Sequence, residues 1–155
     1  MTRSRTFRTV LAAAGIFLAM NTGGPAGAAD DSRQLVELPP MMQSHMLANM
    51  RDHLLALNEI LGELADGNVD AASKIAEARL GMSSLSLHGA EHLGKFMPAE
   101  MGAIGTQMHR AASRFVIVAQ DAEVNPGKDA QHKVYRALQG ITENCNACHQ
   151  AYRIR

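Results

Sequence analysis

Residues 134–153 read VYRALQGITENCNACHQAYR. Val134, Leu138, Ile141, Cys145, Cys148 and Tyr152 recur at gaps of three and four, the spacing of one face of an α-helix. The only two cysteines of the chain therefore continue an apolar stripe, and His149 follows the second directly. Cys-x-x-Cys-His is the attachment signature of one covalently bound c-type haem. The chemistry accounts for each position: two thiols add across the two haem vinyl groups, a two-residue gap lets them straddle one porphyrin edge, and the neighbouring imidazole reaches the iron. Only six residues follow His149 and none is Met or His, so a second axial ligand is expected from upstream.

Three further blocks carry the same helical spacing. The first holds Met42, Met46, Met50, Leu54, Leu57, Leu61 and Leu64, between Pro39-Pro40 and Asp66-Gly67-Asn68, which are start and stop signals. The second holds Ala71, Ile75, Ala78, Met82 and Leu85 and is expected to run on towards His92 and end near Gly94, although Gly81 and Gly89 weaken it by about 1 kcal/mol each relative to Ala. The third opens at Pro98 and carries Met101, Ile104, Met108, Ala111, Phe115, Val118 and Ala122 before Asn125-Pro126-Gly127 breaks it. No strand-like alternation and no fixed-period repeat is evident. Short connections between such helices favour antiparallel neighbours, so the expected fold is all-α, an up-down-up-down four-helix bundle with the haem near one end. In that topology Met41 to His53, His88 to His92, Met97 to Met101 and Cys145 to His149 share one end.

The N-terminus reads as an export signal: Arg3, Arg5 and Arg8, then an apolar stretch from Val10 to Met20, then Ala26-Gly27-Ala28. Residues 1–28 are expected to be cleaved, leaving 29–155 as one soluble periplasmic domain. The apolar stretch is far short of the roughly 20 residues that span a bilayer. Haem is attached to c-type cytochromes outside the bacterial cytoplasm, so the signal agrees with the pentapeptide. Losing the three signal arginines leaves 12 basic against 15 acidic residues, which provides no basic field for nucleic acid. Hydrophobic residues make up 46% of the chain but aromatics only 4%, with no Trp, and a flat cofactor would supply the missing aromatic volume.

The arrangement resembles the class II cytochromes c, the family of cytochromes c′ and their low-spin, Met-ligated relatives. The resemblance covers essentially the whole mature chain and rests on the four helical blocks and on Cys145-x-x-Cys148-His149-x-x-Tyr152-Arg153. It implies a four-helix bundle, thioether bonds at Cys145 and Cys148, and His149 as the proximal iron ligand. Low-spin members offer a Met on the first helix, whereas cytochromes c′ place an apolar residue there and leave the iron five-coordinate. Met50-Arg51-Asp52-His53, followed by Leu61-Gly62-Glu63-Leu64-Ala65-Asp66-Gly67, looks like the ligand-bearing segment of the low-spin branch. Met50 is the distal ligand this implies, with one residue of spacing allowed; Met46, His45, His53 or no ligand are the alternatives. Family members are often homodimers through helices 1 and 2.

Simpler readings stand beside these. Cys-x-x-Cys can be a structural disulfide or a redox pair, although a thioredoxin-like site belongs in a βαβ pattern that this chain lacks. Methionines at helical spacing usually fill core gaps. Arg153 near the proximal side can instead neutralise a helix C-terminus, and Arg51 can pair a haem propionate or remain solvated. His88-Gly89-Ala90-Glu91-His92 matches the H-x-x-E-H pattern of inverted zinc peptidases, but no third ligand is marked, and a copper or zinc site with Met97 and Met101 is the blander metal reading.

The leading expectation is a periplasmic monohaem cytochrome that carries single electrons between partner proteins and is not an enzyme. The alternatives are a five-coordinate module binding nitric oxide or carbon monoxide, and a His/Met copper- or zinc-binding protein.

Overall fold

The computed structural model describes residues 31–155, so the export signal read in residues 1–28 lies outside the described residues. The described chain is all-α apart from one short ladder. Its elements run β1 (Gln34–Val36), α1 (Pro40–Ala65), α2 (Val69–Arg79), α3 (Ala90–Leu93), α4 (Ala99–Val124), α5 (Lys128–Ala151) and β2 (Tyr152–Ile154), with single 3₁₀ turns at Met82–Ser84 and Gly94–Phe96. No helix among the described residues is long and apolar enough to cross a membrane.

The helix boundaries follow local chemistry. Pro40 sits at the first position of α1, where a missing N–H costs nothing. At its other end Gly67 takes a left-handed φ of 80°, which lets the Gly67 and Asn68 amides turn back to the Leu64 and Glu63 carbonyls. Pro98 precedes α4, and Asn125-Pro126-Gly127 separates α4 from α5.

The main core joins α1, α2, α4 and α5 around fully buried Ile60, Phe115 and Ile141, with Leu80 almost fully buried. Close approach comes from alanines: Ala56, Ala72, Ala76, Ala112 and Ala119 are all buried in this cluster. Phe115 is the one large aromatic side chain among the fully buried residues described. A second, methionine-rich cluster is built on Val36, Leu38, Met46, Leu93 and Met101, with Met42, Met50, Met97, Cys148 and Tyr152 packed on it.

Three details depart from the periodicity. The face that α2 buries is Ala72, Ser73, Ala76 and Leu80, one residue out of phase with Ala71, Ile75 and Ala78. Alanine is nearly neutral between faces, so a stripe built on it carries little information about phase. On α1, Leu54 and Leu61 are exposed, while Asn49, His53, Ala56 and Ile60 are buried. The second helical block also does not run through to Gly94: α2 ends at Arg79, and Gly81 and Gly89 divide the rest into short turns.

Glu77 holds that first break together. Its carboxylate accepts from Ser113 Oγ of α4 at 2.7 Å and from the Ser83 amide at 3.2 Å, while Ser113 Oγ accepts from the Met82 amide at 2.9 Å. Arg79, at the end of α2, pairs with Asp52 and Glu59 of α1.

The unforeseen strands join the two ends of the described chain. β1 pairs in parallel with β2, Gln34 opposite Tyr152 and Val36 opposite Ile154. The Leu38 amide then donates to the Arg155 carbonyl at 3.0 Å. This strap carries Val36 and Leu38 into the methionine-rich core beside the end of α5.

Candidate functional site

A cavity of about 520 Å³ opens where α1, the Leu85–Met97 connection, α4 and the end of α5 come together. That volume lies inside the roughly 300–1,000 Å³ usual for ligand and cofactor sites. Cys148 and His149 reach it from α5, and Met46, Met50 and His53 reach it from α1. Residues separated by about a hundred positions therefore face one space.

The α5 side is a helical turn bearing both thiols. Cys145 packs against the main core and Cys148 against the methionine-rich one, so the pair bridges the two. Both are half-buried and free, and burial pushes both thiols above their ordinary pKa, keeping them protonated. His149 is exposed on the same turn, and its carbonyl, one of the last unsatisfied ones of α5, accepts from Arg33 Nη1 at 3.2 Å. Arg153 lies in β2 at the cavity wall.

The α1 side offers sulfur on successive turns, with Met46 buried and Met50 half-buried. Arg51 points elsewhere: it is exposed and is not among the residues lining the cavity. His45 is half-buried, with its ring against the backbone at Gly89.

Among the α4 residues that line the cavity, Met101, Thr106, Met108 and His109 surround a patch with no side chains. Gly102 and Gly105 line the cavity one turn apart, and a Cβ built on either meets nothing within 4 Å. A glycine inside a helix costs roughly 0.5–1 kcal/mol relative to alanine, so two on one cavity wall form a costly, smooth surface. Such a wall, with Leu93, Met97 and Met101 around it, suits a planar, largely apolar ligand.

Three buried histidines line the same cavity, a grouping that no short motif announces although His53 and His88 were separately candidates. His53 from α1, His88 from the segment before α3, and His109 from α4 are all buried. One ring nitrogen from each lies within 4.8 Å of the others. Burial drives all three towards the neutral imidazole, with His53 pushed down to about 4 by burial and then by neighbouring His88 and His109. His109 Nδ1 donates to the Leu80 carbonyl at 2.8 Å, which assigns its proton.

His92 is not part of this group. Gly89, left-handed at φ 62°, separates His88 from α3, and His92 is exposed. The H-x-x-E-H spacing therefore does not place its two histidines on one helix face. His109 escaped the motif reading because it sits beside Met108 with no histidine or cysteine at ligand spacing. Its signal is only that a polar residue borders a core stripe.

Comparison with protein families, curated proteins and solved structures finds no match to this chain.

Proposed function

We propose that this chain is an exported, periplasmic monohaem c-type cytochrome of the class II kind that carries single electrons. In this reading α1, α2, α4 and α5 form the antiparallel up-down-up-down four-helix bundle. The observation that carries it is the shared cavity: Cys148 and His149 of the Cys-x-x-Cys-His turn line one space with Met46, Met50, Gly102 and Gly105, while Cys145, one turn earlier, packs on the main core.

Haem, when bound, supplies a ferric/ferrous couple that takes up and releases one electron. The chain's residues hold and tune it. Cys145 and Cys148 are the thioether sites, and burial keeps both as thiols until they are used. His149 supplies the proximal nitrogen from the end of α5, a segment tied down by Arg33 and by the β1–β2 ladder. Met50 supplies the distal sulfur, which favours the ferrous form and raises the potential, with Met46 one turn earlier as the alternative. Leu93, Met97 and Met101 keep water from the apolar wall. No protein group performs bond chemistry in the electron-transfer cycle, so the protein is not an enzyme in this reading. Its partners are periplasmic redox proteins.

A homodimer belongs to the same reading. Leu47, Leu54 and Leu61 recur every seventh position on α1 and are 40%, 70% and 50% exposed, a stripe that a second copy would cover.

The test is the absorption spectrum of the purified exported protein, oxidised and reduced, with and without carbon monoxide. Expected are one covalent haem per chain, a low-spin ferric form with the far-red sulfur-to-iron charge-transfer band, and little carbon monoxide uptake. Met50→Ala should remove that band, and Met46→Ala should keep it. A high-spin haem that binds carbon monoxide rapidly would replace electron transfer by the gas-binding alternative; a protein without haem would end the cytochrome reading. Sedimentation of the same sample as a monomer would remove the homodimer.

A further inference from the structure

Burying three histidines together is expensive unless something uses them. Each polar ring taken out of water without full compensation costs roughly 1–3 kcal/mol on the mutational scale. His53, His88 and His109 are 8%, 9% and 6% exposed, and their rings stack edge-on or tilted with centroids 4.6–5.7 Å apart. Their mutual hydrogen bonding is poor: His53 Nε2 and His88 Nδ1 stand 3.5 Å apart, and Ser84 Oγ is 3.4 Å from Nδ1 of both His88 and His109. The Ser84 hydroxyl already donates to the Gly81 carbonyl at 2.7 Å, so it offers the rings only a lone pair.

We propose that His53, His88 and His109 form a three-imidazole site for a borderline divalent cation, with zinc(II) the representative ion and the fourth coordination position open to the cavity.

The spacing fits such an ion. A zinc–nitrogen bond of about 2.0–2.1 Å in a tetrahedron sets donor nitrogens about 3.3–3.4 Å apart. The His53–His88 pair is already at 3.5 Å, and the whole set, within 4.8 Å, needs contraction of about 1.5 Å at most. The donors come in the right form. Neutral imidazole is the ligand, and His109 has its Nδ1 proton committed to the Leu80 carbonyl, leaving the Nε2 lone pair. A carbonyl on the far nitrogen is the outer-shell contact that orients ligating histidines.

Helix α1 holds the His88 segment in place at two points. Asn49 Nδ2 of α1 donates to the His88 carbonyl at 2.9 Å, one turn before His53 on the same helix. The chain then turns at Gly89, where a Cβ would lie 2.6 Å from His45 Cε1, so His45 closes that side. Imidazoles without carboxylate or thiolate select zinc, copper, nickel or iron(II) over calcium and magnesium, which take oxygen ligands. Structural zinc sites are closed by four protein ligands, so three imidazoles leave a fourth position for water or another small ligand.

The site is independent of Cys145, Cys148, His149 and Met50, the residues assigned to haem; only His53, an alternative distal ligand in the sequence, is common to both, and here it is a zinc donor. The experiment is equilibrium dialysis of the full exported chain, with its haem where haem is present, against buffered zinc(II), with zinc and iron counted separately by element. X-ray absorption at the zinc edge then reports the ligands. Expected is one zinc per chain, bound through three imidazole nitrogens at about 2.0 Å. His88→Ala should weaken binding about a hundredfold or more, whereas His92→Ala and His132→Ala, both at exposed positions, should leave it unchanged. Full zinc binding in His88→Ala, an absorption spectrum with fewer than three imidazoles, or no stoichiometric zinc in the wild-type chain would each overturn the site. The absorption measurement needs no variant, so it decides the question even if His88→Ala fails to fold. Haem content is read independently from iron, so loss of the cytochrome reading and loss of the zinc site appear as different results.

Discussion

Gly105→Leu tests whether the smooth α4 wall is reserved for a planar group. In the haem-free chain the change should stabilise. Leucine is close to alanine in helix propensity, so replacing the glycine contributes about 0.5–1 kcal/mol. The new Cβ meets nothing within 4 Å, and the added carbons enter the cavity rather than a packed core. Partial burial of two or three of those carbons, at about 0.8 kcal/mol each when fully buried, raises the total to about 1–2 kcal/mol. For a domain of this length that corresponds to a rise in melting temperature of about 3–8 °C. With haem attached the sign should reverse, because the same carbons compete with the ring, and overpacking costs about 1–3 kcal/mol.

The assay is urea denaturation followed by circular dichroism, on the haem-bearing protein and on Cys145→Ala/Cys148→Ala, with haem-to-protein ratio as a second readout. Gly62→Ala supplies the yardstick: Gly62 is exposed on α1 away from the cavity, so its gain should be the same in both forms. If Gly105→Leu stabilises both forms equally and leaves haem content and spectrum unchanged, the glycine wall is not where the ring lies.

Gly81→Ala should destabilise the chain by about 1–2 kcal/mol, because its Cβ would land on the Glu77 carboxylate and break the hydrogen bonds from Ser113 and the Ser83 amide. Ser113→Ala should cost a similar amount, and the double variant in chemical denaturation should cost less than the sum; full additivity would show that Glu77 is not the shared element. The same carboxylate makes stability depend on acid. Burial raises the Glu77 pKa, but the hydrogen bonds from Ser113 and Ser83 outweigh it and hold the group below its ordinary 4.5. A depressed folded value means the stabilisation is complete above the unfolded pKa and is lost as pH falls through the folded one. The stability gap between wild type and Glu77→Gln should therefore be constant above about pH 5.5 and narrow below 4.5, and a gap independent of pH down to unfolding would refute the assignment.

Much of the architecture could be read from local chemistry. Pro40, Pro98, Asn125-Pro126-Gly127 and Asp66-Gly67-Asn68 mark helix ends because a proline ring or a left-handed glycine acts within a few residues. The stripes of α4 and α5 were legible because Met101, Met108, Phe115, Val134, Leu138 and Ile141 are large apolar residues whose burial dominates the phase of a helix. Helix α2 was harder for the opposite reason: its core face is made of Ala72, Ser73 and Ala76, whose small side chains leave the phase to whichever helix packs closest.

The candidate site divides along the same line. Cys145, Cys148 and His149 announce themselves because their chemistry depends on spacing within a single helical turn. Met46 and Met50 were visible as candidates, and only the folded chain brings them to the cavity shared with Cys148 and His149. The β1–β2 ladder left no pattern, and although His53 and His88 were each visible as candidate ligands, nothing local joined them to each other or to His109, since the partners come from opposite ends or three separate elements of the chain. A residue's own spacing carries its covalent and helical chemistry, whereas the burial of a histidine and the pairing of a three-residue strand are decided by what the rest of the chain places against them.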